Sequence, residues 1–432
     1  MRNPLAQRTV RAGVALSAAA GLVAFLAPAP ANADVLPIQI VAAGSDTTQA
    51  LMDQILNGAN QYNIHSLDVT ETFTVSVPAD DRCGAVTYQS PSPATGSNIL
   101  APQGSSAGRN ALRDSAVNGT YPTAALGAGK GCVDIARSSA EPRAVGATTD
   151  AASFEYYAMA LDQVTWASPS LSAPASLTQQ QVRDIFACRI TNWAQLPGGG
   201  AGQIKRFVPS ATSGTGATFI NKVLGGTPPA AARAIDTATF GAQDLGCPAA
   251  VTVVENHGDD PALLGADYQT AIMEYSSGKW NFQANNSANP TLDIRKGTRL
   301  GGFATPDTAA GLNPSAPVTW NPTSVTTYPV TWNGVSKQFF LNNTVVNEAN
   351  ELSPTPTYPG VRFLFNVIDN TAPSYTTARG LVGFDNTGGG TTKSPLCSGT
   401  KNSVILSQGF LPIPAATQNG NPSVTCRFKQ PV

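Results

Sequence analysis

Ile204-Lys-Arg-Phe-Val-Pro-Ser-Ala-Thr-Ser-Gly-Thr-Gly-Ala-Thr-Phe-Ile-Asn-Lys-Val-Leu224 runs from an apolar strand, through a Ser/Gly/Thr loop, into a helical pattern. Phe219, Ile220, Val223 and Leu224 fall at helical spacing, and Gly225-Gly226 marks the stop. A loop of this kind offers free backbone N–H groups and hydroxyls at the positive end of a helix, which suits an anion.

The same design occurs twice more. Ile38-Gln-Ile-Val41 leads into Ala43-Gly-Ser-Asp-Thr-Thr48 and then into Leu51, Met52, Ile55 and Leu56. Ile99-Leu100 precedes Gly104-Ser-Ser-Ala-Gly108, followed by Ala111, Leu112 and a Gly119 stop. Singly, such loops are also ordinary caps and turns. Three strand–loop–helix units on one chain instead point to an α/β fold whose ligand loops sit at the carboxyl ends of strands.

The first 33 residues read as a secretory signal peptide: Arg2, Arg8 and Arg11, a short apolar run from Val14 to Leu26, then Ala31-Asn-Ala33. The mature chain is expected to begin at Asp34 with no cysteine for a lipid anchor, and so to be exported and soluble. Roughly 400 residues then remain, a length typical of two lobes. The formal charge is −1 over the whole chain, and losing three signal arginines makes the exported part mildly acidic. That argues against nucleic acid as a partner. The six cysteines, Cys83, Cys132, Cys188, Cys247, Cys397 and Cys426, lack any Cys-x-x-Cys. In an oxidising compartment they read as structural disulfides, with sequence neighbours as the favoured pairs: Cys83–Cys132, Cys188–Cys247 and Cys397–Cys426.

Further along, Val69–Val77 and Val133–Ala136 read as strands, and Tyr156–Trp166 and Val361–Val367 as apolar crossings. Thr178 and Gln181 form a capping box before Val182, Ile185 and Phe186. Ala230–Phe240 reads as another helix, and residues 300–350 as a β-rich elaboration. The lobes are expected at 34–157 with 366–432, and at 158–365. Catalytic motifs fail: there is no Gly-x-Ser-x-Gly and no His-Glu-x-x-His, and His65 and His257 lie in no motif. Gly127–Gly131 lacks the spacing of a phosphate loop and reads as a turn.

Leu177-Thr, Asp184-Ile-Phe-Ala-Cys-Arg-Ile-Thr-Asn-Trp193 and Ser213-Gly-Thr215 together resemble the phosphate-binding protein of bacterial ABC transporters, and more broadly the type II periplasmic binding fold. Gly104–Gly108 is similar to that family's Gly-Ser-Ser-Gly-Gly loop, and Val133–Ser139 to its Asp-Phe-Gly-x-Ser-Asp segment. Gly409–Pro414 resembles a closing motif of the actinobacterial branch. The resemblance implies two α/β lobes, two crossings, no cofactor, no catalysis, a monomer, and a small oxyanion or polar solute closed in the cleft for an ABC permease. Carried over, the ligand contacts are Asp46, Thr47, Ser105, Ser139, Ser213, Gly214 and Thr215, with Arg137 as a compensating cation. Three positions depart: Pro209 stands where the family has arginine, Ser139 where it has aspartate, and Asp46 where it has threonine. Asp46 also fits a helix cap with Gln49, Ser105 a cap, and Arg137 an ion pair. The competing class is an extracellular interaction protein that kept the fold.

Overall fold

In the computed structural model, the described residues are 40–56, 64–66, 73–77, 86–90, 99–118, 132–209, 212–224, 251–260, 263, 268–303, 330–332, 335–337, 345–347, 353–355, 360–383, 394–396, 398–412 and 428–429. The signal peptide expected at 1–33, the helix expected at 230–240, the turn expected at 127–131 and Cys83, Cys247, Cys397 and Cys426 lie outside them. Cys132 and Cys188 are disulfide-bonded.

One mixed sheet organises the chain. Its main strands are β1 (Ile40–Gly44), β2 (Ile64–Ser66), β3 (Ile135–Ser138), β4 (Phe154–Ser168), β5 (Lys205–Pro209), β6 (Val251–Val253), β7 (Ala271–Ser276) and β8 (Val361–Asp369). In space they run β6-β5-β7-β4-β8-β3-β1-β2. The outer strands on each side are mutually parallel, whereas β4 and β8 pair antiparallel in the middle. Both middle strands are apolar runs long enough to serve the two sides. The first part of β4 lies against β8, and its last residues, Val164–Ala167, pair with β7. Phe365–Val367 of β8 pair with β3. These are the two crossings expected from Tyr156–Trp166 and Val361–Val367, and the architecture is the two-crossing α/β fold.

Burial follows from the same pattern. Every residue of β4 is buried, as a strand covered on both faces must be. Tyr156, Phe363 and Phe365 lie in one apolar cluster, and Tyr157, Leu364 and Ile368 in another, consistent with side chains alternating between the faces of the sheet. Trp166 and Trp193 are both buried in the core, with ring centroids 6.3 Å apart. The Thr178–Gln181 capping box is present at the start of α3, which follows α1 (Gln49–Leu56) and α2 (Gly104–Arg113) and spans Gln179–Phe186. Of the elaboration at 300–350, Val330–Trp332 pairs with Val335–Lys337 as a hairpin. Among the described residues no helix is long and apolar enough to cross a membrane.

Candidate functional site

Each loop of interest leaves the carboxyl end of a parallel strand. β1 ends at Gly44 and gives Ser45 and Thr47; β3 ends at Ser138 and gives Ser139; β5 gives Ser213 and α4 (Gly214–Thr218); β6 gives Glu255 and Asn256. Ser105 comes from the first turn of α2. These loops meet. Ser45 Oγ donates to Ser139 Oγ at 2.9 Å, Ser139 N donates to Ser105 Oγ at 2.9 Å, and Ser106 N donates to the Thr212 carbonyl at 3.1 Å. Ser45, Thr47, Ser105, Ser139, Ser213 and Thr215 are all buried.

The contacts require glycine. Gly104 has φ +80°, and a Cβ there would stand 2.6 Å from the Thr212 carbonyl oxygen. At Gly214 a Cβ would lie 2.2 Å from Ser105 Oγ and 2.3 Å from Ser139 Oγ. Only a residue with no side chain lets the third loop close this far onto the other two.

At the centre sits a carboxylate of the chain itself. Glu255 is 4% exposed. Its Oε1 accepts from the hydroxyls of Thr47 and Thr215, and its Oε2 from the hydroxyl of Ser213. Asn256 Nδ2 lies 3.4 Å from Oε1. The Thr47 and Thr215 oxygens are 3.0 Å apart, but each has one proton, and both protons point to Glu255. Thr47 Oγ1 is left to accept, from Asn256 Nδ2 at 3.3 Å and Arg362 Nη2 at 3.4 Å. Ser213 serves twice: it caps α4 by accepting from Gly216 N at 2.9 Å while donating to the carboxylate. Asn256 holds the loop in place, with φ +59° and its Oδ1 accepting from Ser276 N at 2.7 Å. Asparagine tolerates that left-handed conformation better than most residues.

Beneath the seat lies an ion pair joining the two crossings. Arg362 and Asp162 are direct partners across β8 and β4. Their closest approach is 2.7 Å, with both side chains at most 1% exposed. Arg362 Nη1 also donates to the Ser139 carbonyl at 3.1 Å. Asp162 also accepts from Ser276 Oγ at 2.9 Å and from the Gly278 amide at 3.1 Å, at the start of α5 (Ser277–Asn285). Glu274, on β7, is wholly buried, and burial pushes its carboxyl well above the usual range, toward the neutral acid.

The carried-over positions are placed as follows. Thr47, Ser213 and Thr215 touch the Glu255 carboxylate; Ser105, Ser139 and Gly214 form the adjacent wall. Asp46 begins a short 3-10 turn whose capping position belongs to Ser45, so it is not the cap; it lines the neighbouring cleft. Arg137 is buried rather than at a surface, and its guanidinium donates to the carbonyls of Ser45, Ala42 and Gly44 at 3.3, 3.2 and 3.5 Å. It braces the first loop from behind. Glu255, Asn256, Asp162 and Arg362 were not foreseen. The cleft, of about 250 Å³, adjoins Glu255 and is lined also by Asp46, Gln49, His257, Lys279 and Phe282. Of the paired acids after it, Asp259 meets His257 Nδ1 at 3.0 Å, and Asp260 accepts from Val254 N at 2.7 Å, an ordinary turn role.

A family model described as a PBP superfamily domain, that is, the periplasmic binding protein superfamily, matches residues 37–379. The match covers most of the sequence, and the chain belongs to that family. Several solved structures are similar in fold. An ABC-type phosphate transport receptor from Vibrio cholerae is 15% identical, with 86% of this chain and 99% of that one covered and a TM-score of 0.40. PstS from Borrelia burgdorferi is 15% identical over 86% and 98%, with a TM-score of 0.37. A phosphate-binding protein from Stenotrophomonas maltophilia is 15% identical over 86% and 90%, with a TM-score of 0.42. No curated protein matches.

Proposed function

We propose that this chain is an exported, non-enzymatic solute-binding protein that captures a small, phosphate-like oxyanion for ABC-type uptake. One observation carries the reading: hydroxyls from loops far apart in sequence, Thr47, Ser213 and Thr215, converge on one buried pair of carboxylate oxygens. A site that holds one oxyanion by hydroxyl donors has the chemistry to hold another. The lobes follow as 34–157 with 366–432, and 158–365. The Arg362–Asp162 pair ties both crossings to the seat, so a solute touching both sides favours the closed form. Arg362 stands in for the arginine lost at Pro209, although Asp162 neutralises most of its charge. Asp46, Ser105, Ser139 and Gly214 shape the wall, and Arg137 acts through the first loop.

A thermal-shift panel of phosphate, sulfate, sugars and amino acids tests this. A ligand at 100 times its dissociation constant stabilises by about 2.7 kcal/mol. A shift with phosphate supports the reading; a shift with a sugar or amino acid alone replaces the solute class and keeps the binding role. A second reading, an extracellular interaction protein that kept the fold, is favoured by the seat being filled by the chain's own carboxylate. No shift with any solute would select it, with residues 300–350 as the contact surface.

A further inference from the structure

We propose that Glu255 is an internal competitor for the oxyanion seat: its carboxylate holds the place of the solute, and solute entry drives it into the adjoining cleft. The inference rests on the solute-binding reading and adds how the same site is regulated.

Three features support it. The first is coordination. The carboxylate draws one hydroxyl from the loop after β1 and two from the loop after β5, so the contacts that would hold a solute between the two sides of the sheet are already made to Glu255. A second anion cannot share them, because like charges a few ångströms apart repel strongly at a buried site. The second is charge. The guanidinium beneath is matched by Asp162, and burial holds Glu274 toward its neutral form. The hydroxyl cage therefore has room for one net negative charge, and Glu255 supplies it.

The third is an exit. Glu255 borders both the seat and the cleft, where Lys279, His257, Asp46 and Asp259 also stand. The backbone beside Glu255 is fixed by Asn256 through the Ser276 amide, whereas the glutamate side chain can turn about its own bonds. A turn toward the cleft brings the carboxylate out of the buried cage to a wall that carries Lys279 along with Asp46 and Asp259, where solvent lowers the cost of its charge.

A filled seat weakens apparent affinity in proportion to the fraction of molecules in which it is open, so a seat open in about 1% of molecules binds about a hundredfold more weakly than its bare chemistry allows. The test compares the wild type with Glu255→Ala and Glu255→Gln, by calorimetric titration with inorganic phosphate and thermal melts in formate. Phosphate is expected to bind the alanine variant at least about tenfold more tightly than the wild type. Formate, a detached carboxylate, is expected to raise the Tm of the alanine variant and not that of the wild type. Weaker phosphate binding in both variants than in the wild type would make Glu255 a solute contact and overturn the proposal. Formate rescue without phosphate binding to any form would keep the competitor and discard the phosphate-like solute. Neither ligand binding any form would end both. Should the alanine variant fail to fold, the glutamine variant, which keeps the volume, decides: tighter phosphate binding than wild type supports the competitor, and equal or weaker binding overturns it.

Discussion

Arg137 and Arg362 are both fully buried, and both reach the first loop, yet they do opposite work. Arg137, on β3, donates to the backbone carbonyls of Ala42, Gly44 and Ser45. It holds the loop's shape from behind and leaves the hydroxyls free to face the seat. Arg362, on the crossing strand β8, is locked to Asp162 and reaches the seat's own hydroxyl at Thr47. One arginine is scaffold for a loop; the other links the two crossing strands to the Thr47 hydroxyl. Nearness in sequence to a candidate ligand residue, as with Arg137 and Ser139, therefore says little about which guanidinium serves the ligand.

Substitution separates the two. Removing one partner of the buried pair, by Arg362→Met or Asp162→Ala, strands a charge in the interior and is expected to cost about 3–5 kcal/mol in urea unfolding. Removing both, Arg362→Met with Asp162→Leu, should cost clearly less than either single change, since no unpaired charge remains. Equal costs would show that the pair is not buried as described. Arg137→Met leaves carbonyls without their donors and is expected to cost about 1–3 kcal/mol. It should weaken solute binding only through the disturbed loop.

At the seat itself, with Glu255→Ala as the background so that no internal carboxylate competes, Ser213→Ala or Thr215→Val removes a hydrogen bond to a charged acceptor, worth about 1.5–3 kcal/mol, or roughly tenfold to a hundredfold in affinity for an oxyanion. Ser213→Ala also removes the cap of α4, so its stability loss, about 1 kcal/mol, should exceed that of Thr215→Val. Calorimetry and melts on the same samples separate the two effects. Gly214→Ala drives a methyl group into the Ser105 and Ser139 hydroxyls and is expected to open the closure between loops. A loss of solute affinity with little change in unfolding would mark it as a site defect rather than a core defect.

The smallest effect concerns pH. Glu274 has a folded pKa raised above its unfolded value by burial. The folded state thus holds its proton more tightly, and the associated stability is full at low pH. It falls as pH rises from the ordinary glutamate range through the folded pKa. Glu274→Gln is expected to flatten that decline in unfolding measured from pH 4 to 9. An unchanged slope would place the proton elsewhere.

Much of this was legible in the sequence. The strand–loop–helix spacing at 38–56 and 204–224 located the loops, and the apolar runs near 156–166 and 361–367 located the crossings, because hydrophobic period and turn chemistry act locally. Ser213 was expected as a site residue, and its one side chain also caps α4. Glu255 was not legible as a ligand mimic: its role depends on β6 lying beside β5, a pairing that no local pattern encodes. Asp162 and Arg362 did leave a signal. Each is the one charge inside its run, 156–166 or 361–367, and a buried charge is costly unless paired. Two opposite charges, one in each crossing, could have been matched from sequence alone.

The central claim is that the loops after β1 and β5 build one oxyanion seat. Its most direct test is a calorimetric titration of inorganic phosphate into Glu255→Ala, where no internal carboxylate competes for the hydroxyls, and into the same variant carrying Thr47→Val and Thr215→Val as well. The account predicts saturable binding to Glu255→Ala and a loss of at least about a hundredfold in the triple variant, as two charge-assisted hydrogen bonds disappear. Phosphate binding of equal affinity in both proteins would contradict it.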